Sequence, residues 1–221
     1  MDKKQILDRF ETFLKENGDA AFEKLNEFFY QQSKHFYSNH SYGDNKTARQ
    51  AWVSTIGQVL EEIVKRLLRD FCNSHGLGMT SDRELIKPKT AELEQVRRNV
   101  EVFFGKYSLL PDSDIIIYKK NNCRVIVIIS VKNSFRERYT ETPYWKIKLS
   151  NYNTTRHIRV LLVTPDKDNE ISKISPKKAR IVLDYELDGI YIAKEDFDRS
   201  DKIKSINDLL GDLETILREN Q

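Results

Sequence analysis

Two aspartates and a lysine stand where two short apolar runs begin and end. Pro111-Asp112-Ser113-Asp114 leads directly into Ile115-Ile116-Ile117-Tyr118, and a second β-branched run from Arg124 ends in Ser130-Val131-Lys132. Lys119-Lys120-Asn121-Asn122 lies between them as a polar turn, so the two runs read as a β-hairpin. In an antiparallel pair the start of one strand and the end of the next meet at the same end of the sheet. The spacing therefore predicts Asp114 beside Lys132. Carboxylates hold a hard divalent cation, one or two of them together with waters. A lysine nearby can orient a water and stabilise negative charge developing on a phosphoryl group. These are the requirements of metal-assisted phosphodiester hydrolysis.

Each feature has a plain structural reading when taken alone. Pro-Asp is common at turns, and a lysine after an apolar strand is usually that strand's solvated end. Glu61-Glu62 with Lys65 and Arg66 has the spacing of helical ion pairs on a solvated face. Arg136-Glu137-Arg138 can be a surface charge cluster. It is the combination that points to chemistry.

The elements around these residues follow from periodicity. Ile6, Phe10, Phe13 and Leu14 recur at helical spacing, and a second helix is expected from Ala20 to about Tyr37. Residues 38–45 are rich in turn formers. A long helix is expected from Thr47 to Ser74, ended by Gly76-Leu77-Gly78. Continuous apolarity through Val125–Ile129 marks a strand buried on both faces. A polar segment, Asn133 to Thr142, and a mixed stretch to about Tyr152 follow. Further strands are expected at His157–Val163 and Gly189–Ala193, and helices at Ser175–Leu183 and Ile206–Leu217. This order predicts an α/β (α+β) fold with a mixed β-sheet flanked by helices. We expect a single domain over 1–221, with a helical N-terminal part at 1–78 and the α/β core at 79–221. The aromatic cluster Phe22, Phe28, Phe29, Tyr30, Phe36 and Tyr37 reads as core or dimer surface rather than as a base-stacking platform.

Pro111-Asp112-Ser113-Asp114 followed by Ser130-Val131-Lys132 resembles the PD-(D/E)XK nuclease superfamily. Lys132-Asn133-Ser134-Phe135-Arg136-Glu137-Arg138 is similar to a signature of its type II restriction endonucleases that read CCGG or interrupted CC/GG sites. The resemblance implies a restriction-endonuclease-like core, Mg2+ as cofactor, and hydrolysis of double-stranded DNA at a short palindromic site. It implies Lys132 as a catalytic residue and Asp114 or Asp112 as metal ligand, with Asp114 favoured because it directly precedes the strand. Ser130 stands where the superfamily has its second acid. Relatives with Ser-x-Lys bring the missing carboxylate from elsewhere, and here Glu61 and Glu141 are the substitutes. Glu61 has Gly57 four residues before it, as such enzymes often do. Glu141 lies nine residues beyond Lys132, whereas the relatives place the acid nearer thirteen, where this chain has Trp145. Arg136 and Arg138 would donate to guanine and Glu137 accept from cytosine, which is the usual chemistry of major-groove reading. A homodimer matches a palindrome by symmetry. A cognate DNA methyltransferase would protect the host as a functional partner, not in a stable complex. Two other readings stay open: a structure-selective repair nuclease of the same superfamily, and a noncatalytic DNA-binding protein on a decayed nuclease fold, kept alive by Ser130.

Composition sets the outer limits. The 221 residues are 39% hydrophobic and 32% charged, enough apolar material for one core. The longest apolar run is strand-length, so no membrane span is expected, and with no signal-like stretch after Met1 the expectation is a cytoplasmic protein. Net charge is +3, which permits a polyanionic partner without demanding one. Cys72 and Cys123 lack metal-ligand spacing and read as buried thiols. Lys177, Lys178 and Arg180 at a helix start read equally as phosphate contacts or as a solvated face.

Overall fold

The computed structural model describes residues 2–38, 45–135, 138–175 and 177–220. Four helices come first: α1 (Lys3–Asn17), α2 (Ala20–Glu23), α3 (Leu25–Ser38) and α4 (Asn45–Ser74). Strand β1 (Leu77–Thr80), helices α5 (Asp82–Ile86) and α6 (Ala91–Val100), and a small hairpin of β2 (Val102–Phe104) and β3 (Tyr107–Leu109) lead to the central hairpin of β4 (Ile115–Lys119) and β5 (Val125–Val131). Then come α7 (Glu141–Ser150), β6 (Arg159–Thr164), α8 (Lys178–Glu186), β7 (Gly189–Ile192), β8 (Ile203–Ser205) and α9 (Leu209–Glu219).

Six strands form one sheet in the order β1-β4-β5-β6-β7-β8. The pairs β1/β4 and β4/β5 are antiparallel, and β5 to β8 run parallel. The expected mixed sheet flanked by helices is therefore what forms. All seven residues of β5 are buried, as its unbroken apolarity requires, because both sheet faces are covered. On one face α1, α3, α4 and α9 pack through Phe10, Phe28, Ile63 and Leu213 against Ile115, Ile129 and Val163. On the other, α6, α7 and α8 pack through Val96, Leu149 and Leu183 against Ile116, Ile128 and Leu162. Each fully buried Leu or Ile contributes about 1.5–3 kcal/mol of transfer free energy. Phe22, Phe28, Phe29 and Phe36 are core residues, while Tyr30 and Tyr37 stay exposed.

Several local expectations change. Gly76 (φ +66) does end α4, but Leu77 and Gly78, expected only as part of that stop, open the edge strand Leu77–Thr80 that pairs with β4. The second helix breaks at Lys24 into α2 and α3. Residues 141–150 are helical, and α8 begins at Lys178 rather than Ser175. Cys72 is buried, with its thiol pushed up to about 11, whereas Cys123 is only half-buried at a positive φ. No helix among the described residues is long and apolar enough to cross a membrane.

Candidate active site

Asp114 immediately precedes β4, and Lys132 immediately follows β5. The register pairs Ile115 with Ile129, which brings the two ends together. Oδ2 of Asp114 accepts the Val131 amide at 2.7 Å. The same oxygen lies 3.7 Å from Nζ of Lys132. The Lys132 amide in turn donates to the Val163 carbonyl at 3.0 Å, tying the end of β5 to β6. Alternation along the strands puts Asp114, Ser130 and Lys132 on the face that carries Ile116, Ile128 and Leu162. Ser130 is 3% exposed there and brings a neutral hydroxyl to this end of the sheet.

Burial pushes the Asp114 carboxyl above the usual carboxylate range. The Lys132 ammonium and the Val131 amide pull it back down, while Glu61 and Asp112 push it up. Both acids are thus close enough to be felt. Glu61 comes from α4, on the opposite side of the sheet. One of its oxygens is 2.7 Å from Lys65 and the other 3.9 Å from Arg83.

Asp82, which sequence reasoning missed, completes the cluster. Its carboxyl is pushed up to about 6, first by burial and further by the charge of Asp112 and a hydrogen bond with that carboxyl. The Arg83 amide donates to Asp82 at 2.6 Å, and the Asp82 amide donates to Ser113 at 3.1 Å, which fastens α5 to the start of β4. Ser81-Asp82-Arg83-Glu84 carries only the signal of a helix start, and Ser81 does cap α5 by accepting from the Glu84 amide. Nothing local to that segment announces its place beside Asp112.

The remaining sequence candidates divide. Glu141 opens α7, and its charged partner is Arg138 at 3.9 Å rather than Lys132. Arg138 is 72% exposed at its side chain. Arg136 and Glu137 lie outside the described residues. Arg180 is not a free phosphate contact: it is buried and donates to the carbonyls of Ile171 and Asp198. Lys177 pairs with Glu170 at 2.8 Å.

Among the described residues no three carboxylate, imidazole or thiolate side chains converge as a complete metal cage. The cluster fits the other kind of site, in which one or two carboxylates share a divalent cation with waters and substrate oxygens. Asp114 carries charge that its neighbours Glu61 and Asp112 repel, and a cation at this point would relieve that repulsion. Asp114 and the acids that perturb it, Glu61 and Asp112, are the carboxylates this cluster offers to such a cation.

The family model described as BsaWI restriction endonuclease type 2 matches residues 92–212, which include the whole β4–β5 hairpin. The chain belongs to this family of type II restriction endonucleases. It is accordingly a DNA-binding site-specific deoxyribonuclease. Its relatives include the putative type II restriction enzyme MjaVIP of Methanocaldococcus jannaschii, 46% identical over 75% of this chain and 76% of that protein. The probable type II restriction enzyme HpyAORF263P of Helicobacter pylori is 46% identical over 78% of this chain and 95% of that one. Among solved structures, the restriction endonuclease PspGI in complex with substrate DNA superposes with a TM-score of 0.57 at 18% identity, covering 99% and 94% of the two chains. The pre-specific BsaWI–DNA complex gives 0.50 at 17% identity, covering 98% and 83%. At such identities the likeness is one of fold. Restriction endonucleases generally work with divalent metal ions.

Proposed function

We propose that this BsaWI-family enzyme cuts double-stranded DNA at a short palindromic site containing CC/GG, with Mg2+ bound by Asp114 and Glu61 and with Lys132 as the catalytic lysine. The observation that carries this reading is the shared oxygen: Oδ2 of Asp114 meets both the Val131 amide and the Lys132 ammonium, with Glu61 close enough to perturb it. Mg2+ at these carboxylates would supply Lewis-acid polarisation of the phosphoryl oxygen. Lys132 orients the attacking water and stabilises the negative charge that builds on the phosphoryl group. Asp114 holds the ammonium in place, and the Val131 amide fixes which way the carboxylate points. Ser130 contributes no charge, so Glu61 supplies the second carboxylate; Asp112 and Glu141 are the lesser candidates.

Specificity is assigned to the segment just after the catalytic lysine. Arg136 and Arg138 donate to guanine and Glu137 accepts from cytosine, so base reading and cleavage are joined by a few residues of chain. Arg138 is exposed, as a base-reading side chain must be. A palindrome is read by a homodimer in this scheme, as one domain per subunit, and a separate methyltransferase protects the host genome. The PspGI structure, a complex with substrate DNA, is in keeping with duplex DNA as substrate.

Digestion of unmethylated phage DNA with purified protein and Mg2+, beside Asp114→Ala and Lys132→Ala, tests the proposal. Discrete fragments whose ends map to a CC/GG-containing sequence, absent in both variants, are expected. Fragments mapping elsewhere would remove the specificity assignment, and undiminished cutting by Lys132→Ala would remove the assigned catalytic role.

A further inference from the structure

A cleft of about 610 Å³ opens beside the edge strand β1, lined by Arg83, Lys87, Lys89, Glu84, Glu92 and Tyr118 among others. Its two acids are each held by a hydroxyl: Thr80 Oγ1 donates to Glu84 at 2.7 Å, and Tyr118 OH donates to Glu92 at 3.0 Å. The three cations are not matched in this way. Among the described residues neither Lys87 nor Lys89 has an ion-pair partner, and both are exposed. Arg83 is 69% exposed, and among the described residues its one ion-pair partner is Glu61 at 3.9 Å, too far for a hydrogen bond. Among the described residues, then, no acceptor takes a hydrogen bond from its guanidinium.

The backbone beneath these cations is well fixed. Leu85 is fully buried under α5, Ser81 caps the helix, and the Asp82 amide is bonded to Ser113. Pro88 separates the two lysines and keeps Lys87 extended (φ −135, ψ 75). Arg83 thus stands between the carboxylate of Glu61 and a cleft that Lys87 and Lys89 also line.

We infer that this cleft seats backbone phosphates of the DNA strand being cut, with Arg83 joining that seat to the catalytic end. Arginine and lysine bind phosphate oxygens without regard to sequence and set the register of the duplex on the protein. Arg83 reaches Glu61 on one side and the cleft on the other, so a phosphate bound there lies next to the metal-binding carboxylates. The assignment rests on the proposed catalytic role of Asp114, Glu61 and Lys132 only for its account of register, and its test does not depend on cleavage.

The test is equilibrium binding to a mixed-sequence duplex in EDTA over a range of salt, where nothing is cut and no recognition site is needed. Each phosphate contact contributes about 0.9 to the slope of log K against log salt. Arg83→Ala is expected to lower the slope by about 0.9, and Lys87→Ala with Lys89→Ala by about twice that. Arg83→Lys should keep the wild-type slope, and Lys15→Ala, in an exposed part of α1 on the other side of the sheet, should not change it. Thermal unfolding confirms that each variant is folded. Unchanged slopes in folded Arg83 and Lys87/Lys89 variants, or weaker binding at an unchanged slope, would overturn the inference, as would a wild type that binds no duplex. Loss of cleavage in Asp114→Ala is a separate readout, so the phosphate seat and the catalytic assignment can fail independently.

Discussion

Lys132 and Asp114 face each other across the mouth of the β4–β5 hairpin, with Nζ 3.7 Å from Oδ2. The pair is electrostatically unequal, because burial and two neighbouring acids hold the Asp114 carboxyl above its ordinary range despite the ammonium. A group whose folded pKa is raised favours folding at low pH, and that contribution fades as pH rises through the folded value. Asp114→Asn keeps an acceptor for the Val131 amide and removes the charge. The variant is expected to melt at or above the wild-type temperature at pH 7.5 in EDTA, while cleavage falls by about 10³-fold or more, a trade of activity for stability. Calorimetry and single-turnover cleavage on the same preparations check both halves.

Glu61 and Glu141 make different predictions. Glu61 perturbs Asp114, whereas Glu141 pairs with Arg138. Glu61→Gln is expected to reduce single-turnover cleavage by about 10²-fold or more, with Glu141→Gln within a few-fold of wild type. The reverse ranking would make Glu141 the second acid.

Burial, reinforced by the neighbouring Asp112 carboxyl, makes Asp82 a pH-dependent weak point of the protein. Asp82 is raised to about 6 from an ordinary value of 3.8, so the folded state binds its proton more tightly than the unfolded state. Stability from this group is complete below about pH 4 and is lost as pH climbs through about 6. Asp82→Asn should therefore gain in melting temperature relative to wild type at pH 7.5 and not at pH 4. An equal difference at both values would show that the Asp82 carboxyl is not raised in the folded protein.

Gly78 pairs with Tyr118 across β1 and β4, and the tyrosine ring lies where a glycine side chain would begin. A β-carbon on Gly78 would fall 2.2 Å from that ring. Gly78→Ala is expected to cost about 1–3 kcal/mol, as overpacking does. Urea unfolding measures it. Most of the cost should vanish when Tyr118→Ala is added, since the two residues are in contact.

Much of the candidate site was legible because it is built from one hairpin. Asp114 and Lys132 are brought together by strand order and a turn, and both are visible in the local sequence. Glu61 was reached only by resemblance, since nothing in a helical Glu-Glu pair with Lys65 says which end of a sheet it approaches. Asp82 was not legible at all. Its local signal is a helix cap, and its role comes from β1 pairing with β4, a contact between segments more than thirty residues apart. That strand was hidden in turn by two glycines, which read as a helix stop and did serve as one at Gly76. Position 78 needed glycine for a different reason, the ring of Tyr118.

The bond from the Val131 amide to Asp114 also gives the enzyme a built-in spectroscopic probe. Backbone amides within β5 bond to neighbouring strands, but this one points at a titrating side chain. Its proton resonance should move when Asp114 gains a proton or a cation, while the amides on either side stay still. In a ¹⁵N-labelled sample a single cross-peak would follow the charge of the active site in solution, before any DNA is added or any bond is cut.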